Sequence, residues 1–207
     1  MQITKEHIKM LDIIIKISID NASRSFSKAI KHGALIELAR TELVDVSEIT
    51  EEMNNDSREM AGAMLQLNGE LKGKLLFMIP FDGALVLQDY YMCSPQGTSK
   101  EFDEYTEATV QELGNILASS IINSLASDFG STVLPTPPQV ICDFAGTIFS
   151  SLILEEGIDH DKILLIEAKF KIYHTEIDCY FFLLLDINTM EESLSKLEKS
   201  TTANTDY

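Results

Sequence analysis

The chain has 207 residues, 45% hydrophobic and 24% charged, enough apolar material for one sizeable buried core. Its formal net charge of −17 argues against a nucleic-acid partner, because phosphate-binding surfaces concentrate Lys and Arg. The cysteines (Cys93, Cys142, Cys179) and histidines (His7, His32, His160, His174) form neither a disulfide frame nor a metal-ligand motif, and the apolar runs fall far short of the ~20 residues of a membrane span.

Thr4 reads as the N-cap of a helix in which Ile8, Leu11, Ile15, Ile19, Ala22 and Phe26 recur at helical spacing to about Ile30, with His32-Gly33 ending it. Residues 35–49 alternate loosely, as a strand would, and 51–57 read as a polar turn or loop. Residues 60–67 and 71–79 flank Asn68-Gly69-Glu70, a hairpin signal. Residues 80–93 read as a shorter helix, and Ser94-Pro95-Gln96-Gly97 marks a boundary between halves. Thr98-Ser99 with Glu101 resembles a capping box opening a long helix to about Asp128, closed by Gly130. Residues 133–142 are extended and interrupted by Pro135, Pro137 and Pro138, and 145–154 read as a short helix or irregular segment. Residues 163–172 and 177–187 form a strand pair across Tyr173-His174-Thr175, and Asn188 with Glu191 caps a terminal helix to about Lys199.

Helix, strand and hairpin therefore recur at an offset of about 99 residues, giving two repeats over residues 4–93 and 98–199 and a frayed tail over 200–207. Either repeat alone would leave a hydrophobic sheet face bare. The expectation is a single α+β domain (an α/β two-layer arrangement) with a pseudo-two-fold repeat, in which one continuous, mostly antiparallel sheet carries the two long helices.

Glu112 and Asn115 lie three residues apart on the long helix, and Pro138 follows Asn115 after 22 intervening residues. At 100° per residue Val110, Leu113, Leu117 and Ile121 form the buried stripe, leaving Glu112 and Asn115 on the solvated side. Tyr105, Ala108, Ile116, Ser119 and Ile122 lie on or beside that side as a possible docking face. A carboxylate and a carboxamide on one turn can contact a partner and position a water. Glu51-Asn54 and Glu52-Asn55 share the spacing but have no proline at the matching distance. In the first repeat the corresponding residues are Ile13, Lys16 and Ala39, which cannot do the same work and mark a degenerate first site. No phosphate-cradling glycine run or nucleophile motif is present, and Met60 with Met64 reads as core.

Glu112-Leu113-Gly114-Asn115-Ile116-Leu117, the long helix, Pro138 and Asp143-Phe144-Ala145-Gly146 resemble the second-half signature of the CheC/CheX/FliY family of chemotaxis phosphatases, most like CheC. The likeness extends over nearly the whole chain through its length, its repeat and the Asn21-Ala22 remnant in the first helix. The family motif often has Asp or Ser four positions before the Glu; here that position is Ala108, a departure.

The resemblance implies hydrolysis of the aspartyl phosphate of a phosphorylated CheY-type response regulator. Asn115 would hold a water in line with phosphorus, Glu112 would pair with the regulator's lysine, and Pro138 would shape the site. No cofactor or metal is expected on this chain, Mg²⁺ being expected in the partner regulator. The receptor deamidase CheD is implied as a further partner, and the alternative reading is a non-catalytic adaptor binding CheD or the regulator. Lys5, Glu6 and Lys9 interrupt the amino terminus, so no signal peptide and a cytoplasmic protein without membrane insertion are expected.

Overall fold

A computed structural model of the chain describes residues 4–30, 33–154, 162–186, 189 and 192–195. Helix α1 (Lys5–Ala29) starts at extended Thr4, whose hydroxyl accepts from the His7 N–H at 3.2 Å while His7 Nδ1 accepts from the Thr4 N–H, a capping box with histidine in the usual Glu position. Strand β1 (Ala34–Asp45) follows, tied to α1 where the Ile36 N–H donates to Ser23 Oγ at 2.9 Å.

The chain then departs from expectation. Val46–Asn55 is a helix, α2, so residues 46–49 are not strand and 51–55 are not loop. Ile49 and Met53 bury one narrow stripe of α2 while Glu48, Glu51 and Glu52 face solvent. With so few apolar positions, the helical period is hidden in a composition that reads as loop.

Strands β2 (Glu59–Gly69) and β3 (Gly73–Pro80) form the expected hairpin, and α3 (Phe81–Tyr91) follows. Helix α4 (Glu104–Phe129) begins five residues later than the Thr98-Ser99 capping box would place it, because Asp103 caps it by accepting from the Tyr105 and Thr106 N–H groups. Thr98 and Ser99 instead serve Asp89. Its buried carboxylate accepts from the N–H groups of Gly97, Thr98 and Ser99 and from the Ser99 hydroxyl. Burial works to raise the Asp89 pKa, but the Ser99, Gly97 and Thr98 hydrogen bonds outweigh it and hold the carboxyl below its ordinary range.

Gly130, with φ of 56°, ends α4 in the left-handed conformation expected of a closing glycine. Strands β4 (Val133–Pro135) and β5 (Gln139–Phe144), helix α5 (Ala145–Leu154), and strands β6 (Lys162–Ile172) and β7 (Thr175–Leu185) complete the order. Thr189 and residues 192–195 are helical, whereas Asn188 and Glu191, expected to cap that helix, and the tail lie outside the described residues.

The strands form one seven-stranded antiparallel sheet in the order β1-β6-β7-β3-β2-β4, with β5 also paired to β2. Shifting α1, β1 and α2 by 99 residues superposes their bounds on α4, on β4 with β5, and on α5. The repeat is thus carried by the elements themselves. One sheet face, including Ala63, Phe77, Ile166 and Phe181, packs against α1, α3 and α4. Alternate residues such as Met64, Leu76, Leu165 and Phe182 pack against α2 and α5 on the other face. The expected sheet with its two long helices therefore carries a further helical layer, making three layers where two were expected. Both sheet faces are apolar because both are covered.

Candidate functional site

Val110, Leu113, Leu117 and Ile121 are fully buried against the sheet, which turns Glu112 and Asn115 to solvent on one turn of α4. Gly114 lies between them on the buried side. A Cβ there would stand 2.6 Å from Ala63 Cβ, so the missing side chain lets α4 approach β2 closely at the level of the two polar residues. The glycine in the helix and the Ala61-Gly62-Ala63 run in the strand were the sequence signal for this approach.

Pro138 stands opposite that turn. Gln111, Glu112 and Asn115 from α4, with Pro135, Thr136, Pro137 and Pro138 from the β4–β5 connection, line an open cleft of about 420 Å³. Sequence reasoning found Glu112, Asn115 and Pro138, and the structure brings all three to this cleft. It missed what holds the wall. Thr136 makes a reciprocal pair with Gln66 of β2: its N–H donates to the Gln66 carbonyl at 2.9 Å and its hydroxyl accepts from the Gln66 N–H at 3.0 Å. On the helix side Gln111 Nε2 donates to the Pro138 carbonyl at 2.9 Å. Pro138 itself is buried, and Pro135 and Pro137 are exposed.

The neighbouring positions divide. Tyr105 is 54% exposed and Ala108 is exposed, while Ile116 and Ser119 are half-buried. Ile122 is a correction: at 2% exposure it belongs to the core and not to a docking face. Helix α1 packs on α4, so α4 buries a flank as well as its sheet-facing stripe. A second open cleft, lined by Ile17 and Asn21 of α1 and by Ser120, Asn123, Ser124, Ser127 and Asp128 of α4, lies between the two helices.

On α1, Ile13 is 60% exposed and Lys16 is exposed, as the projection required. Ala39 is the extra residue of a bulge in β1, between the pairs Leu38–Ala168 and Arg40–Glu167. The first repeat therefore has a bulged strand where the second has its proline wall. The other two Glu-x-x-Asn pairs also lie on a helix, α2, so helicity does not set them apart from Glu112 and Asn115, whereas the proline wall does. Among the described residues no group of three or more His, Cys, Asp or Glu side chains is placed to hold a metal ion.

Fold and cleft together define a duplicated α/β protein that pairs a helix-borne acid and amide with a proline wall in one repeat. The model of the CheC-like family matches residues 106–142, the segment from α4 through the wall into β5. Over 194 residues the chain is 21% identical to the CheY-P phosphatase CheC of Bacillus subtilis (strain 168), covering 92% of this chain and 93% of that one. Among solved structures it shares the fold of Thermotoga maritima FliY, at 18% identity and a TM-score of 0.75, covering 96% of this chain and 99% of the other. It also matches a chain of the CheX-CheY-BeF₃-Mg²⁺ complex from Borrelia burgdorferi, at 18% identity and a TM-score of 0.53, with 83% and 97% covered. The family match and the curated relative are thus both CheC-like proteins, and the solved structures share the fold.

Proposed function

We propose that the chain is a phosphatase that hydrolyses the aspartyl phosphate of a phosphorylated CheY-type response regulator. The observation that carries this reading is the convergence of exposed Glu112 and Asn115 with Pro138 on one open cleft, inside the segment that matches the CheC-like family. An aspartyl phosphate is an activated acyl phosphate, so its hydrolysis needs a water placed in line more than a strong base. The Asn115 carboxamide, with an acceptor and a donor, orients that water, and Glu112 pairs with the lysine of the regulator's active site and sets the register of the complex.

The electrostatics support a protein-bound phosphate over a free one. The cleft contributes Glu112 and no cation, on a chain of net charge −17. A small phosphate ester would be repelled, whereas a phosphoryl group already neutralised inside a partner would not. Mg²⁺ belongs to that partner, where it would neutralise phosphoryl charge. Among the described residues no helix is long and apolar enough to cross a membrane, and we place the reaction in the cytoplasm.

The test is phosphate release from phosphorylated regulator mixed with the purified chain. Asn115→Ala is expected to lose about ten- to a thousandfold of the acceleration while keeping the fold. An unchanged rate removes Asn115 from its role. A second reading, an adaptor that binds CheD or the regulator without turnover, draws on exposed Ile13 and Ile17, which lie one turn apart on the degenerate face of α1 and would suit a covering partner. Binding without phosphate release selects it.

A further inference from the structure

We infer that Gln111 is a positioning residue, which acts by holding the Pro138 carbonyl and so fixing the proline wall against the turn that carries Glu112 and Asn115. The inference rests on the phosphatase reading of the cleft. Residues 136–138 lie between β4 and β5, where strand pairing to β2 lapses. Three of the four residues 135–138 are proline and have no N–H to donate, so the segment is held mainly through what it accepts. Thr136 ties one part of it to Gln66, and Gln111 ties Pro138 to the helix. A proline-rich segment is internally stiff, so two ties fix it as a body. With the helix tie removed, Thr136 and the flanking pairs Pro135–Leu67 and Gln139–Met64 still hold the ends of the segment but nothing holds the Pro138 carbonyl, and the wall shifts between them.

The first repeat supplies a comparison within the molecule. The 99-residue offset sets Asp12 against Gln111 and Ala39 against Pro138. A carboxylate has no hydrogen to donate at neutral pH, and the backbone at Ala39 forms a bulge. Where the donor is missing, so is the wall.

Two substitutions test the inference on the full chain. Gln111→Met preserves length and neutrality but removes the donor, and Gln111→Lys keeps a donor of comparable reach. Two readouts are needed: steady-state phosphate release from phosphorylated CheY-type regulator, and amide hydrogen exchange at residues 139–141 of the protein alone. Gln111→Met is expected to lower kcat about ten- to a hundredfold with KM within about threefold, since a wall displaced by about 1 Å misplaces the water more than the partner. Exchange at residues 139–141 should quicken by about tenfold. Gln111→Lys should bring both quantities back to within about threefold of wild type. Wild-type kcat with wild-type exchange in Gln111→Met overturns the inference, as does an equal loss in Gln111→Lys. If the wild-type chain releases no phosphate, the phosphatase reading fails by itself, and exchange decides the tie: an unchanged rate in Gln111→Met overturns it.

Discussion

Gly114→Ala adds one methyl group at the point where α4 comes closest to the sheet. Its Cβ would lie 2.6 Å from Ala63 Cβ and 3.7 Å from Phe77 Cδ1. Carbon atoms in contact prefer about 3.5–4.0 Å, so the helix must withdraw by about 1 Å. Neither obstacle is the far end of a flexible chain, and Leu113 and Leu117 are carried away from the sheet with the helix. Overpacking of this kind costs about 1–3 kcal/mol, and replacing a mid-helix glycine by alanine returns about 1 kcal/mol. The net destabilisation expected is about 0–2 kcal/mol, small enough for the variant to fold. Activity should suffer more, because the displaced turn carries Glu112 and Asn115 while the wall stays tied to β2 through Thr136. Phosphate release should fall about ten- to a hundredfold. Urea unfolding and phosphate release measured on the same preparation check both halves. A variant stabilised by the full ~1 kcal/mol of helix propensity and releasing phosphate at the wild-type rate would refute the close approach and its role.

Two further outcomes follow from the same geometry. Asp89→Asn replaces a carboxylate that takes four hydrogen bonds by an amide with fewer acceptor sites and two donors of its own, and should cost about 2–4 kcal/mol in urea unfolding. Because the folded pKa of Asp89 is depressed, this stabilisation is fully present above the ordinary aspartate value near 3.9 and is lost as pH falls through the lower folded value, so the gap between wild type and variant should hold from about pH 7 to 5 and close below about pH 4. Ile13→Glu with Lys16→Asn, introduced into Asn115→Ala, rebuilds the paired side chains on α1 but should add no phosphate release. Recovery of more than about a tenth of the wild-type rate would show that side-chain identity suffices without the wall.

Much of the fold was legible because the long elements are strongly periodic. The stripe from Leu11 to Phe26 and the stripe from Val110 to Ile121 placed both long helices, and the apolar runs placed β2, β3, β6 and β7. Helix α2 was not legible, since Ile49 and Met53 alone are buried among acids and amides. The third layer was missed with it. The start of α4 was misjudged because Thr98, Ser99 and Glu101 imitate a capping box, while the residues that settle the matter, Asp89 and Asp103, act from either side of it. Ile122 fell to the wrong side because a wheel drawn for one helix ignores the flank that α1 covers. Of the cleft, the groups proposed to act were visible and the groups that hold them were not. Gln111, Thr136 and Gly114 matter through contacts with residues distant in the chain.

These supports explain why a duplicated scaffold carries its acid and amide in one half only. Gly114, Gln111 and the wall residue Pro138 all differ at the 99-residue offset. Gly114 corresponds to Ile15, which carries a fully buried side chain where the second repeat has none. Gln111 faces Asp12, which has no donor for a carbonyl, and Pro138 faces Ala39, where β1 bulges. Each change alone would loosen a site that, on the proposed mechanism, works by placing one water. Together they replace the small residue, the tie and the wall. The proposed catalysis by positioning has little tolerance for that, because an acid and an amide would act there through where they are held. Without those supports, Glu and Asn at the exposed positions of Ile13 and Lys16 would have no wall to work against.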